Sequence, residues 1–176
     1  MRSRLKFLVA LVGLLLLSLL GYRGLREAPI LESPARAVPP SSAPARELSS
    51  PRLCVRVIDG DTLELEGGER VRLIGVDTPE SVDPRRPSEP FGEEAAGFTR
   101  RLAEGKSVRL ESGDEARDAY GRSLAYIHLP DGTLLNAEII RQGYGRAYTR
   151  FPHPRLQEFV VLEREAREAG RGIWGR

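Results

Sequence analysis

Residues 52–76, RLCVRVIDGDTLELEGGERVRLIGV, carry the clearest structural pattern in the chain. It contains three β-rich runs, at 53–58, 62–66 and 70–76, separated by the turn sequences Asp59-Gly60-Asp61 and Gly67-Gly68. Turns this short join neighbouring strands in antiparallel order. The stretch therefore predicts three consecutive antiparallel strands.

Helical and β patterns alternate after this stretch. The sequence predicts further strands and helices at 91–102 (helix), 108–111 and 123–129 (strands), 135–141 and 156–169 (helices). Phe98 and Leu102 are expected on the inner face of the first helix, and Ile173 and Trp174 are expected to fold back over the core. Strands first, with helices interspersed and at the end, predict an α+β domain, most simply a small antiparallel barrel with packed helices.

The first 27 residues have the order of a membrane-targeting segment. Three cations within residues 2–6 precede a run without charge at 7–22. At about 1.5 Å per residue this run covers roughly 24 Å as a helix, which lies between a signal-peptide core and a full membrane span. Because no small-x-small cleavage pattern follows closely, we favour an uncleaved signal anchor, with a cleaved signal peptide as the alternative. The excess of cations before the run predicts an extracytoplasmic location, either membrane-anchored or secreted.

Composition separates a linker from the folded domain. Residues 28–51 are rich in Pro, Ala and Ser and predict a disordered linker, so the domain is expected at 52–176. The domain holds 20 basic and 22 acidic residues, because seven of the 27 basic and three of the 25 acidic residues precede it. This balance excludes a uniformly cationic surface, so a polyanion would need a local cluster of cations. The single cysteine, Cys54, excludes a multi-cysteine zinc site, so a metal would be held by oxygen ligands.

Three polar motifs could carry chemistry. They are Asp59-Gly60-Asp61-Thr62, Arg72 with Asp77-Thr78-Pro79-Glu80, and Asp118-Ala119-Tyr120-Gly121-Arg122. Taken singly, the first is more often a structural turn than a metal site, and the second is equally a solvated charged turn or a hard-cation site. An isolated Arg122 is more often an ion-pair residue than a phosphate ligand in a chain this rich in arginine.

Taken together and in this order, the motifs resemble the staphylococcal nuclease (thermonuclease) family. The resemblance covers residues 53–174 and includes Phe91-Gly92, Leu124-Ala125-Tyr126 and Gly172-Ile173-Trp174. It implies a five-stranded OB-fold barrel with about three packed helices. It also implies a calcium-dependent phosphodiesterase or endonuclease that acts on DNA and RNA and leaves 3′-phosphate ends. No protein partner is evident, and a monomer is expected.

The resemblance also assigns the metal side of the site. One Ca²⁺ ion would be bound by Asp61, Asp77 and the backbone carbonyl of Thr78, with waters completing the shell. Asp59 would support these ligands from behind without contacting the ion. Glu80 would orient or deprotonate the attacking water, which requires an ionised carboxylate beside the metal.

The substrate side follows from the same resemblance. Arg72 and Arg122 match two arginines that grip the scissile phosphate, and Tyr120 and Tyr148 match tyrosines that line the nucleotide pocket. Two guanidiniums suit this role because each donates paired hydrogen bonds and stays protonated.

Arg150 departs from the family pattern, since a tyrosine is expected there. It is either a phosphate or stacking contact or a surface charge. In the loop 81–90, three prolines restrict the backbone and Arg85 and Arg86 are the local cations. The competing hypothesis, a catalytically silent OB-fold nucleic-acid-binding module, predicts the loss of a catalytic residue, yet Arg72, Glu80 and Arg122 are all present.

Overall fold

The computed structural model describes residues 47–81 and 88–175. The predicted anchor at 1–27, the linker up to residue 46 and the cations Arg85 and Arg86 lie outside these residues. Within the described part of the chain, no helix is both long and apolar enough to span a bilayer.

The described residues form seven strands and three α-helices. The strands are β1 Arg52–Asp59, β2 Thr62–Leu65, β3 Arg70–Leu73, β4 Val76–Asp77, β5 Ser107–Arg117, β6 Ser123–His128 and β7 Arg146–Ala147. The helices are α1 Gly92–Ala103, α2 Leu135–Arg141 and α3 Leu156–Glu168, and a 3₁₀ turn covers Gly172–Trp174. The predicted α+β class is confirmed, and β5 is longer than expected.

Five strands close into a barrel in the order β1-β2-β3-β6-β5. The β1–β2 and β2–β3 pairs are antiparallel, as predicted from the opening stretch. The expectation of a wholly antiparallel barrel is wrong, because β3 and β6 pair in parallel. A parallel pair needs a long crossover, and α1 with β5 supplies it between these two strands. Leu48 and Ser49 also pair with β5, so contacts with the barrel begin before the predicted start at residue 52.

Apolar side chains from the barrel and the helices form one buried core. Tyr126 and Phe159 are its largest fully buried members. On α1, the buried positions are mainly small, Ala95, Ala96, Thr99 and Ala103. Phe98 and Leu102, expected on the inner face, are only partly buried against the core. Small residues let the helix approach the barrel closely, so the larger side chains lie at the edge of the contact.

Two features were not expected from the sequence. The short strands β4 and β7 pair separately, with Val76 opposite Ala147 and Asp77 opposite Arg146. Each strand has two residues, which is too short to produce a periodic signal. The Ile173 N–H donates to the Gly143 carbonyl, but neither Ile173 nor Trp174 joins the core cluster. The Trp174 ring instead lies beside the guanidiniums of Arg146 and Arg167.

Candidate active site

The turn between β1 and β2 carries two nearly buried carboxylates, Asp59 and Asp61. A Cβ atom at Gly60 would lie only 2.6 Å from the Thr78 hydroxyl oxygen, so glycine is required for the close approach of the two segments. The buried Thr99 hydroxyl donates to the Gly60 carbonyl at 2.6 Å and fixes the turn from α1. The turn is therefore held rigidly between α1 and the segment after β4.

Asp61 has three partners around its carboxylate. The Thr78 backbone N–H donates to Oδ2 at 3.2 Å, and the Thr62 hydroxyl donates to Oδ1 at 3.0 Å. Arg72 forms an ion pair with the same Oδ1. A carboxylate this buried needs such partners to remain charged. Asp61 is therefore fixed in orientation towards β3 and the Thr78 segment.

Arg72 links the two carboxylates predicted to bind metal. Its register position on β3 is opposite Thr62 on β2. Its guanidinium pairs with Asp61 and lies 3.7 Å from Asp77 Oδ1, and Nη2 also donates to the Val76 carbonyl at 3.1 Å. Burial lowers the pKa of Arg72, and so does the positive charge of Arg122. Asp61 and Asp77 thus face one common cation, and Arg122 lies close enough to repel it.

Arg122 is held by the turn between β5 and β6. The Asp118 carboxylate accepts the N–H groups of Tyr120 and Arg122 at 2.9 and 3.0 Å, and it accepts Arg122 Nε at 2.7 Å. Burial alone would raise the pKa of Asp118, but the hydrogen bonds from Arg122 and Tyr120 lower it overall. Asp118 therefore orients the Arg122 guanidinium through a charge-assisted hydrogen bond.

The hydroxyl of Thr62 lies between the Asp61–Arg72 ion pair and Arg122. Besides donating to Asp61, it lies 3.5 Å from Arg122 Nη1. The structure therefore brings together Asp61, Asp77, Arg72 and Arg122, the four side chains on which the sequence-based hypothesis depends.

The remaining predicted residues border this centre. Asp59 accepts the Ser81 hydroxyl at 2.6 Å and acts electrostatically on Arg72. Glu80 is half-buried, and its carbonyl accepts the Glu89 N–H at 2.7 Å. The Thr78 side chain is nearly buried, and its hydroxyl oxygen has no hydrogen-bond partner among the described residues.

The two predicted pocket tyrosines differ in exposure. Tyr120 is 86% exposed, with its ring centroid 5.4 Å from the Arg122 guanidinium carbon. Tyr148 is half-buried, and its N–H donates to the Gly75 carbonyl at 2.9 Å. Arg150 is exposed and lies 5.8 Å from the ring centroid of Phe151. Arg150 is thus on the surface beside an aromatic ring of the chain itself, and a contact of Arg150 with substrate stays a prediction.

The predicted ligands fit a hard divalent cation. No group of three His, Cys, Asp or Glu side chains within residues 47–81 and 88–175 could hold a metal by itself. The predicted set, however, needs only two carboxylates and the Thr78 carbonyl, and Ca²⁺ accepts carboxylate, carbonyl and water oxygens. Asp61 and Asp77 already share a cationic partner, and the Thr78 N–H contacts Asp61. The donor chemistry of the three ligands and the convergence of the two carboxylates on Arg72 therefore suit Ca²⁺.

Four residues that were not predicted from the sequence hold the site in place by hydrogen bonds, namely Thr62, Ser81, Thr99 and Asp118. Thr62 and Asp118 lie inside the quoted motifs, and their short spacing to Asp61 and Arg122 was a usable signal. Thr99 is a polar residue on the buried face of α1, which is a second usable signal. Ser81 gives no such signal, because its contact with Asp59 joins distant parts of the chain.

Three residues with potentially reactive side chains make structural contacts, namely Cys54, His128 and His153. Burial raises the pKa of Cys54 to about 11, as suits an unreactive buried thiol. His128 lies 2.9 Å from the Glu111 carboxylate, and His153 Nδ1 lies 2.9 Å from the Tyr126 hydroxyl.

A small α+β barrel with two arginines facing two carboxylates suits a hydrolase of phosphodiester bonds. A family model described as "Staphylococcal nuclease homologue" matches residues 70–176. The chain belongs to the staphylococcal nuclease family, as predicted, and membership makes it a hydrolase of the nuclease type.

Curated relatives cover most of the same region. The chain is 42% identical to "Thermonuclease" of Staphylococcus intermedius over 130 residues, which is 70% of this chain and 76% of that protein. It is 38% identical to "Thermonuclease" of Staphylococcus hyicus over 124 residues, 68% of this chain and 73% of that protein. It is 35% identical to "Endonuclease YncB" of Bacillus subtilis (strain 168) over 128 residues, 69% of this chain and 60% of that protein.

Proposed function

We propose that this chain is a calcium-dependent endonuclease that hydrolyses DNA and RNA and leaves 3′-phosphate ends. One observation carries the proposal: Asp61 and Asp77 share the guanidinium of Arg72, and Arg122 is close enough to Arg72 to lower its pKa. Holding the positive charges of Arg72 and Arg122 close together costs free energy, and a bound phosphate would offset that cost.

The two arginines perform the electrostatic part of the reaction. When water attacks a phosphodiester in line, negative charge gathers on the phosphoryl oxygens and on the leaving oxygen. Arg122, oriented by Asp118, and Arg72, oriented by the barrel, donate hydrogen bonds to those oxygens. Because both side chains are held before substrate arrives, little reorganisation is needed as the charge develops.

Asp61, Asp77 and the Thr78 carbonyl would hold the Ca²⁺ ion. When bound, the ion supplies positive charge beside the phosphate and acidifies a bound water. Glu80 accepts a proton from the attacking water or orients it. Support for this role comes from the position of Glu80, which is separated from the Asp77–Thr78 segment only by Pro79 and is bonded through its backbone to Glu89.

Hydrolysis of denatured DNA tests the activity and the metal requirement together. We expect activity with calcium, none with excess chelator, and losses of about 10²-fold or more in Glu80→Gln and Arg122→Lys. Arg164→Lys is the matched control, because Arg164 is exposed and pairs only loosely with Glu168. Activity that persists in chelator would contradict the calcium assignment. Binding without cleavage in the unmodified chain would favour the silent nucleic-acid-binding module instead.

The product ends are a separate part of the proposal, which is supported by the family resemblance. A 5′-labelled oligonucleotide cleaved by the enzyme should yield fragments whose mass falls by one phosphate after treatment with a 3′-phosphatase. Fragments that phosphatase leaves unchanged, but that a ligase accepts at the 3′ hydroxyl, would contradict it.

We further propose that the enzyme acts outside the cytoplasm, tethered by residues 1–27 through the linker. The order of charged and apolar residues at 2–22 supports this location. In fractionated cells, an anchored chain resists extraction with high salt and is released by detergent. Release as a shortened soluble chain would favour the cleaved-signal alternative.

A further inference from the structure

Two exposed aromatic rings stand out on the described surface. Among residues 47–81 and 88–175, only Tyr120 and Phe151 are aromatic and largely exposed, at 86% and 61%. Tyr120 is already a predicted substrate contact, whereas Phe151 has no role in the function proposed above. A phenylalanine offers no hydrogen bond to water, so its exposure brings no gain to the isolated domain.

Each ring lies beside an arginine. The Tyr120 ring centroid is 5.4 Å from the guanidinium carbon of Arg122, and the Phe151 centroid is 5.8 Å from that of Arg150. An aromatic face combined with a neighbouring cation is the combination that binds single-stranded nucleic acid, since the ring stacks on a base and the cation attracts the backbone.

Phe151 is continuous with the candidate site. Its ring centroid lies 6.0 Å from that of Tyr148. The Tyr148 N–H is bonded to the Gly75 carbonyl, just after the strand that carries Arg72. The exposed rings therefore flank the two arginines, with Tyr120 next to Arg122 and Phe151 on the side of Arg72.

We propose that Phe151 and Arg150 form an additional nucleobase-stacking subsite, beyond Tyr148, for an unpaired nucleotide of the substrate strand. The inference rests on the proposed function, because it assumes that a polynucleotide crosses the site. A phenyl ring has no polar atom with which to read base edges, so the subsite accepts any base. It adds affinity for longer single strands without a sequence preference.

Binding of fluorescein-labelled single-stranded oligothymidylates to the full chain tests this subsite. Measurements in calcium use a Glu80→Gln background, with the intact length of the oligonucleotide checked on a gel. We expect Phe151→Leu to weaken binding of a long oligonucleotide roughly tenfold, as for the loss of one base-stacking contact. Phe151→Trp should retain the binding, because indole also stacks. Val160→Ala is the matched control, since Val160 is an exposed apolar residue on α3.

A double-mutant cycle with abasic oligonucleotides locates the stacked base. An abasic site is moved along the strand one position at a time, and each oligonucleotide is tested against the Phe151 and Phe151→Leu chains. If Phe151 stacks on one base, its removal costs nothing further when that base is missing. Non-additivity at a single position supports the subsite, and additive losses at every position overturn it.

The failure of this inference can be told apart from failure of the proposed function. If the unmodified chain cleaves DNA but Phe151→Leu binds every oligonucleotide as tightly as its parent, the subsite is wrong and the nuclease assignment stands. If the unmodified chain never cleaves but the non-additive position is present, the subsite stands on a binding module.

Discussion

Arg72 and Arg122 meet at one site but are held in opposite ways. Arg72 is in a barrel strand, with 19% of its side chain exposed, and its partners Asp61 and Asp77 come from two other segments. Arg122 is next to a turn, with 29% exposed, and its partner Asp118 is four positions earlier in the chain. One arginine is therefore fixed by tertiary structure and the other by local structure.

Because of this difference, substitutions of the two arginines should disturb different parts of the site. The partners of Arg72 are the carboxylates proposed to bind calcium, so a change at Arg72 alters the metal side and the phosphate side together. Asp118 has no proposed role with the metal, so the position of Arg122 can be changed alone. Variants on the two sides should therefore differ in calcium dependence even where they lose similar activity.

Replacing either arginine by methionine is expected to have the largest effect. Each variant should lose about 10²- to 10³-fold in kcat, because each loses one preorganised donor to the phosphoryl oxygens. Only Arg72→Met should bind calcium more tightly, because Asp61 and Asp77 are relieved of their competing cation. Hydrolysis kinetics and calorimetric titration with calcium measure the two effects.

Stability adds a second distinction between these variants. Removing Arg72 leaves Asp61 as a buried charge without its ion pair, so Arg72→Met should unfold more readily in chelator, by about 3 kcal/mol. Calcium should restore part of that stability by binding the folded state. If Arg72→Met and Arg122→Met showed the same calcium affinity, the separation of the two sides would be wrong.

Asp118→Asn should affect the Arg122 side alone. The amide oxygen can still accept the turn N–H groups, but the charge that orients the guanidinium is lost, so we expect roughly a tenfold fall in kcat. Half-saturation by calcium should stay unchanged. Asp131→Asn is the matched control, because Asp131 accepts the Thr133 N–H in a similar turn without an arginine partner. An equal fall in that control would make the effect a general property of such turns.

Local signals predicted most of the fold. Short turns predicted β1, β2 and β3 in order, and helical periodicity predicted α2 and α3 nearly to the residue. The parallel β3–β6 pair and the small β4–β7 sheet were not predicted, because each joins segments that are distant in sequence. The hydrophobic pattern of a strand does not show which distant strand it pairs with.

The site shows the same division. Arg122, Asp118 and Tyr120 form one short motif, and their contacts follow from its spacing. In contrast, the contact of Arg72 with both carboxylates requires the register of the β2–β3 pair, which sets Arg72 opposite Thr62, and the placement of Asp77 in the β4–β7 pair. Only the family resemblance brought the separate motifs together, because each alone fits an ordinary polar turn.

Thr62→Val tests the connection between the two sides. Valine keeps the shape and β propensity of threonine but removes the hydroxyl shared by Asp61 and Arg122. We expect about a threefold fall in kcat and a loss of stability of about 2 kcal/mol, as for a hydrogen bond to a charged group. Thr62→Ser, which keeps the hydroxyl, should remain close to the unmodified enzyme in both measurements.

As the pH falls, the Arg72 side of the site should lose stability before the Arg122 side, because His153 lies next to it. An added Cβ at Gly75, next to β3, would lie 2.5 Å from the His153 ring, and burial lowers the pKa of that histidine. The unfolded chain therefore takes up a proton near pH 6.5 while the folded protein does not, so stability falls as the pH drops below about 6.5. Asp118 has a lowered pKa, so its contribution is retained until the pH falls below about 4.

Urea unfolding of the unmodified chain and His153→Gln, at intervals from pH 7.5 to 4.5, measures the smallest of these effects. The stability difference between the two chains should shift in favour of the variant as the pH falls through this range, because only the histidine gains affinity for a proton on unfolding. Asp118→Asn should run parallel to the unmodified chain over the same range. A difference independent of pH would mean that His153 keeps its ordinary pKa and that the two sides of the site respond to acid alike.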